Sequence, residues 1–202
     1  LEDDKENIEI YIDLGDNYLG LQNHEKATEN YEIAYNKDPK NSLIQKKLAD
    51  TYINLAQKFS KESDYSKSID NYLKAQKISP DNKEINNLLL NAYLNQGDLF
   101  LNNKKYTQAS QSYQKALQID PKDSSLYKKL ANLNFMSGNL DASIKNYEKA
   151  CALNLNNTEY AYELIELYML KKQYHKALQK SKSLLAKNPQ DSTAKIKLGN
   201  AY

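Results

Sequence analysis

Side chains able to do covalent, acid–base or metal chemistry are few and scattered. The two histidines, His24 and His175, stand far apart in the chain, with no thiol or carboxylate set suggesting a shared metal. Each is expected in the turn between two paired helices, as a solvated residue. The single cysteine, Cys151, follows Ala150 and is expected to fill a packing position. A nucleophile would need a neighbouring base, and none is implied. One cysteine also excludes an intrachain disulfide framework and a multi-cysteine zinc site. Gly15, Gly20, Gly97, Gly138 and Gly199 are isolated and form no phosphate-cradling loop. Acidic pairs such as Asp3–Asp4 and Glu163–Glu166 are expected on solvated helix surface. The expectation is a chain that is not an enzyme, with no cofactor and no metal.

Composition narrows the class. Of 202 residues, 40% are hydrophobic and 27% charged, so a core is possible but must be built economically. No apolar run approaches the ~18 residues of a membrane span, and no stretch has the form of a secretory signal. The chain begins at Leu1, which leaves an upstream signal or anchor open. The segment is read as cytoplasmic, with a periplasmic or membrane-anchored parent as the alternative. Its 28 basic residues are all lysine and face 26 acidic ones, a net charge of +2. That balance, and the lack of arginine to read phosphate or guanine, argue against a nucleic-acid partner. With only 5 glycines and 4 prolines, turn formers are too rare for many short strands, so the chain must be mostly helix.

The prolines are periodic. Pro39, Pro80 and Pro121 are spaced by 41 residues, and Pro189 follows after 68, twice 34. Counting back from Pro39 gives Tyr11, Leu14, Gly15, Tyr18, Ala27, Tyr31 and Ala34. On these residues the chain resembles the tetratricopeptide repeat family, whose 34-residue unit is a helix–turn–helix. The unit 8–41 matches at every signature position. Units 124–157 and 158–191 match in part, with Ser143, Leu155, Ala161 and Ser181 as departures. A sixth begins at 192 and supplies Leu198, Gly199 and Tyr202. The units 42–82 and 83–123 carry seven extra residues. Their first helices fit the signature in two registers, from the front through Leu48 and Leu89, or from the back through Tyr52, Leu55, Ala56 and Tyr93, Gly97. Seven residues are about two helical turns, so these first helices are read as lengthened, not looped. N-caps are expected at Asn41 or Ser42, Asp81 or Asn82, Asp123 or Ser124, and Asp191 or Ser192. Of the 17 tyrosines, 14 fall at repeat-signature positions, so aromatic richness is mainly packing.

The resemblance implies an all-α, right-handed α-solenoid forming one array, 1–202, whose first helices line a concave groove. It implies a scaffold that binds a peptide or helix of a protein partner there. On the groove it places Asn91 and Asn95 in the third unit, Lys128, Asn132 and Phe135 in the fourth, Tyr162, Glu166 and Met169 in the fifth, and Lys197 in the sixth. Tyr162 lies outside the signature set and is expected to be an anchor whose removal weakens binding without disturbing the helices. The carboxylate clamp of co-chaperones is half present in Lys128, Asn132 and Lys197, but Glu163 stands where asparagine is needed. Two rival readings are a substrate-recruiting or regulatory segment of a larger enzyme, and self-association through the open C-terminal half-repeat. No nucleic-acid partner and no direct membrane insertion are expected.

Overall fold

A computed structural model describes residues 2–201, with side chains described from residue 7 onward. Leu1, Tyr202 of the sixth unit, and the side chains of the Asp3–Asp4 pair lie outside the described residues. Among the described residues are eleven helices and no strand. They are α1 (Glu2–Gly20), α2 (His24–Lys37), α3 (Ser42–Lys61), α4 (Tyr65–Ile78), α5 (Lys83–Asn102), α6 (Tyr106–Ile119), α7 (Ser124–Met136), α8 (Leu140–Leu153), α9 (Thr158–Leu170), α10 (Tyr174–Lys187) and α11 (Ser192–Asn200). None is long and apolar enough to cross a membrane. The fold is all-α and of the helical-hairpin solenoid class, as the period requires. The chain divides into two compact units, Leu1–Gln96 and Gly97–Tyr202. The first holds α1 to α4 and residues 83–96 of α5; the second holds residues 97–102 of α5 and α6 to α11.

Helix lengths follow the sequence. The odd helices α3 and α5 have 20 residues each, against 13 in α7 and α9, so the added residues prolong a helix without breaking it. The added front turns of α3 bury Ile44 and Leu48, and those of α5 bury Ile85 and Leu89. The back register is the one in which each long helix meets its own partner. Gly97 of α5 lies against the Tyr113 ring of α6 as Gly15 of α1 lies against Tyr31 of α2.

Local chemistry sets the ends. Asn41, Asp123 and Asp191 cap α3, α7 and α11, each side-chain oxygen accepting a backbone N–H in the first turn. At α5 the choice falls on Asn82, whose Oδ1 accepts from the Glu84 N–H at 2.9 Å. Inside every hairpin one turn residue adopts positive φ: Gln22, Ser63, Lys104, Gly138 and Lys172, with only the fourth a glycine. His24 opens α2 and His175 is the second residue of α10, so neither is a turn residue as the sequence suggested.

The core is one small residue facing one large one. Ala27, Ser68, Ala109, Ser143 and Ala177, at one repeat position, are fully buried and let the paired helices approach. Ser143 Oγ is buried and has no hydrogen-bond partner among the described residues. An unpaired buried hydroxyl costs about 1–3 kcal/mol, and alanine fills the same position in three other units. Ser143→Ala is therefore expected to raise the stability of the chain by about 1 kcal/mol in urea unfolding. A loss of stability would show that the hydroxyl bonds to a helix carbonyl.

Candidate functional site

Neighbouring hairpins are tied by a repeated three-residue cluster. In the first unit Tyr31 of α2 donates its hydroxyl to Asp16 of α1 at 2.5 Å, and Lys47 of α3 reaches the same carboxylate at 2.6 Å. The Lys47 ammonium also lies 5.9 Å from the centre of the Tyr31 ring. Burial pushes the Asp16 carboxyl up, but the Lys47 and Tyr31 hydrogen bonds outweigh it and hold the group below the usual carboxylate range. The second unit repeats the arrangement: Tyr113 donates to Asp98 at 2.5 Å, and Lys129 pairs with Asp98 at 2.7 Å. One hairpin further on it decays, because Tyr147 bonds Asn132 at 2.5 Å and Glu163 stands where the lysine would be. Between a second helix and the first helix that follows it another contact recurs, with Tyr52 of α3 donating to Glu32 of α2 and Tyr168 of α9 donating to Glu148 of α8.

These contacts decide what the first helices of the second unit present. Lys128 of α7 pairs with Glu159 of α9 at 2.5 Å and lies 5.7 Å from the Tyr160 ring. Lys197 of α11 pairs with Glu166 of α9 and covers the Tyr162 ring at 5.9 Å. Tyr162 itself donates to Asp191 at 2.5 Å, the residue that caps α11. That bond, more than partial burial, raises the Tyr162 hydroxyl pKa, and it lowers that of Asp191. Tyr162 is half-buried, and its bond to the residue that caps α11 gives it a structural contact beside the anchor role expected of it. Met169 packs partly buried on the core.

What stays open on α7, α9 and α11 is narrower than the sequence suggested. Asn132 is exposed although its carbonyl oxygen accepts from Tyr147. Phe135 is 49% exposed on α7 and Ile196 is 65% exposed on α11. Among the described residues Glu163 has no ion-pair partner. Asn91 and Asn95 are exposed on α5 and belong to the first unit. The interhelical partners Glu159 and Asp191 were missed. The signal for the ion pairs was present as opposite charges 31 residues apart, seen at Lys47–Asp16, Lys129–Asp98, Lys128–Glu159 and Lys197–Glu166.

Nucleophilic and metal chemistry find little here. Burial pushes the Cys151 thiol pKa up, which disfavours the thiolate. Among the described residues no group of three or more His, Cys, Asp or Glu is placed to hold a metal ion.

Comparison with known proteins matches this geometry. A family model described as tetratricopeptide repeat matches residues 8–41 and 49–82, and one described as TPR repeat matches 97–138, together more than half of the chain. The match at 49–82 begins where the back register of the long repeat begins. No curated protein matches. Among solved structures, the TPR domain of P58(IPK) is 17% identical with a TM-score of 0.51, covering 96% of this chain and 64% of its own. The chain thus spans just under two thirds of that protein. A thermophilic TPR protein from Thermus thermophilus is 19% identical with a TM-score of 0.43, covering 96% of this chain and 98% of its own. The MamA protein is 19% identical with a TM-score of 0.49, covering 93% and 95%. At these identities the likeness concerns fold alone.

Proposed function

Since the chain belongs to the tetratricopeptide repeat family, whose repeats generally mediate protein–protein interaction, we propose that it is a recognition scaffold docking a peptide or helix of a partner on α7, α9 and α11. In this reading the chain does no chemistry itself. The observation that carries it is open apolar surface on these first helices, with Phe135 on α7 and Ile196 on α11, beside Lys128 and Lys197 that are already paired with glutamates. Covering apolar surface gains roughly 25 cal/mol per Å². The Lys128–Glu159 and Lys197–Glu166 pairs, with the lone Glu163, set an alternating charged margin that favours one register of a ligand over another.

The test is a selection of displayed peptides on the full chain. Peptides recovered on the wild type are expected to lose at least about tenfold in affinity for the Phe135→Ala/Ile196→Ala variant. Both side chains are exposed, so helicity by circular dichroism should not change. Equal affinity for the variant, or no peptide recovered, would reject the proposed wall.

A further inference from the structure

A cleft of about 380 Å³ opens in the first unit between α1, the α2–α3 connection and the start of α3. Ile8, Ile12 and Leu43 give it apolar walls, and Glu9, Asp13 and Asp38 give it carboxylates. Among the described residues no basic side chain lines it. Leu43 is 54% exposed, a large apolar surface left to water at the mouth. Asn41 is already committed, its Oδ1 accepting from the Leu43 and Ile44 N–H groups that start α3. Asp38 accepts one bond, from the Lys40 N–H at 3.3 Å. Among the described residues Glu9 and Asp13 have no ion-pair partner.

The repeat pattern alone does not make such a cleft. At the equivalent place in the second unit, Lys128 and Lys129 stand where the first has Ile12 and Asp13, and Glu159 stands where it has Leu43. There the Lys128–Glu159 pair spans the two helices and satisfies both charges internally. In the first unit the same position offers apolar walls beside Glu9 and Asp13, which have no ion-pair partner among the described residues. A ligand that fits must bring its own positive charge and an apolar neighbour to it. Carboxylates take an ammonium or guanidinium through charge-assisted hydrogen bonds, which are the strong ones.

We propose that this cleft docks a cationic, amphipathic segment of a partner protein. An apolar side chain sits against Ile8, Ile12 and Leu43, and an adjacent lysine or arginine pairs with Glu9 and Asp13. The inference takes its class of ligand from the recognition reading above, but it concerns the other unit and other residues.

The experiment uses the full chain and three fluorescein-labelled short peptides, of alternating Leu–Lys, Leu–Glu and Ser–Lys, read by anisotropy. The Leu–Lys peptide is expected to bind at least about tenfold tighter than either of the others. Glu9→Gln/Asp13→Asn and Leu43→Ser are each expected to lower its affinity about tenfold, and added salt should weaken it. Phe135→Ala/Ile196→Ala should leave it unchanged, so failure of the α7–α9–α11 wall and failure of this cleft are read separately. Equal binding of the Ser–Lys peptide, or full affinity in the Glu9/Asp13 variant, overturns the proposal. So does loss of binding in the Phe135/Ile196 variant, which moves the peptide to the second unit. A dimer of the free chain that Glu9→Gln/Asp13→Asn abolishes also overturns it, since a second copy would then be the occupant.

Discussion

Tyr113→Ala is expected to destabilise the second unit by about 3–5 kcal/mol, the usual cost of emptying a fully buried aromatic site. The Tyr113 ring is 0% exposed. It lies where a Cβ on Gly97 would run into it, and its hydroxyl bonds an Asp98 carboxylate that Lys129 also holds. Each of these contacts has its own signature. Tyr113→Phe keeps the ring and loses one bond to a charged acceptor, so it should cost about 1.5–3 kcal/mol. Gly97→Ala keeps every bond and forces an atom into the ring, a strain of about 1–3 kcal/mol. Because the strain needs the ring, Gly97→Ala added to Tyr113→Ala should cost almost nothing more, a strongly non-additive pair. Urea unfolding of the full chain, with hydrogen exchange to locate the loss in residues 97–202, measures all four. Additive costs, or a Tyr113→Ala loss below about 1 kcal/mol, would remove Gly97–Tyr113 as the contact that seats α5 on α6.

The same contact explains why the hairpins were legible and the ties between them were not. Proline spacing, the Gly15–Tyr31 signature and the cap residues all act within one hairpin, and hairpin boundaries and the lengthened α3 and α5 follow from them. Two registers fitted the long first helices because a seven-residue step returns to the same helix face. The demand for a small residue opposite Tyr113 separates them in α5, and it selects Gly97. The ion pairs depend instead on how far one first helix slides along the next. That offset does not follow from periodicity within a helix. Tyr162 therefore read as a free aromatic, when its hydroxyl is bonded to Asp191. Lys128 and Lys197 read as groove lysines and half of a carboxylate clamp, and Glu159 and Glu166 pair with them. The two proposed ligand surfaces use what these pairs leave open: Phe135 and Ile196 in one unit, and the acid-lined cleft beside Leu43 in the other.

Alkali is expected to unfold the chain well before its peptide bonds or its remaining charge pattern would. Burial, reinforced by the carboxylates they donate to, raises the hydroxyl pKa values of Tyr31, Tyr52, Tyr113 and Tyr168 far above the usual tyrosine value. Burial, with Glu163 and Glu159 nearby, does the same to Tyr147. A pKa raised in the folded state means that folding favours the protonated phenol. The stabilising contribution is complete below the unfolded tyrosine pKa of about 10 and is lost as pH climbs above it. Each such tyrosine removes up to about 1.4 kcal/mol per pH unit in that range, and both units contain some. Helicity followed from pH 8 to about 12 should collapse cooperatively, with phenolate absorbance of the buried tyrosines rising in the same step and not before it. Tyr31→Phe/Tyr113→Phe, although less stable near neutrality, should lose less stability per pH unit above about 10. Tyrosines that all ionise near pH 10 on an intact helical chain would show that these hydroxyls are open to water, and the buried tyrosine–carboxylate ties within and between hairpins would fall with that result.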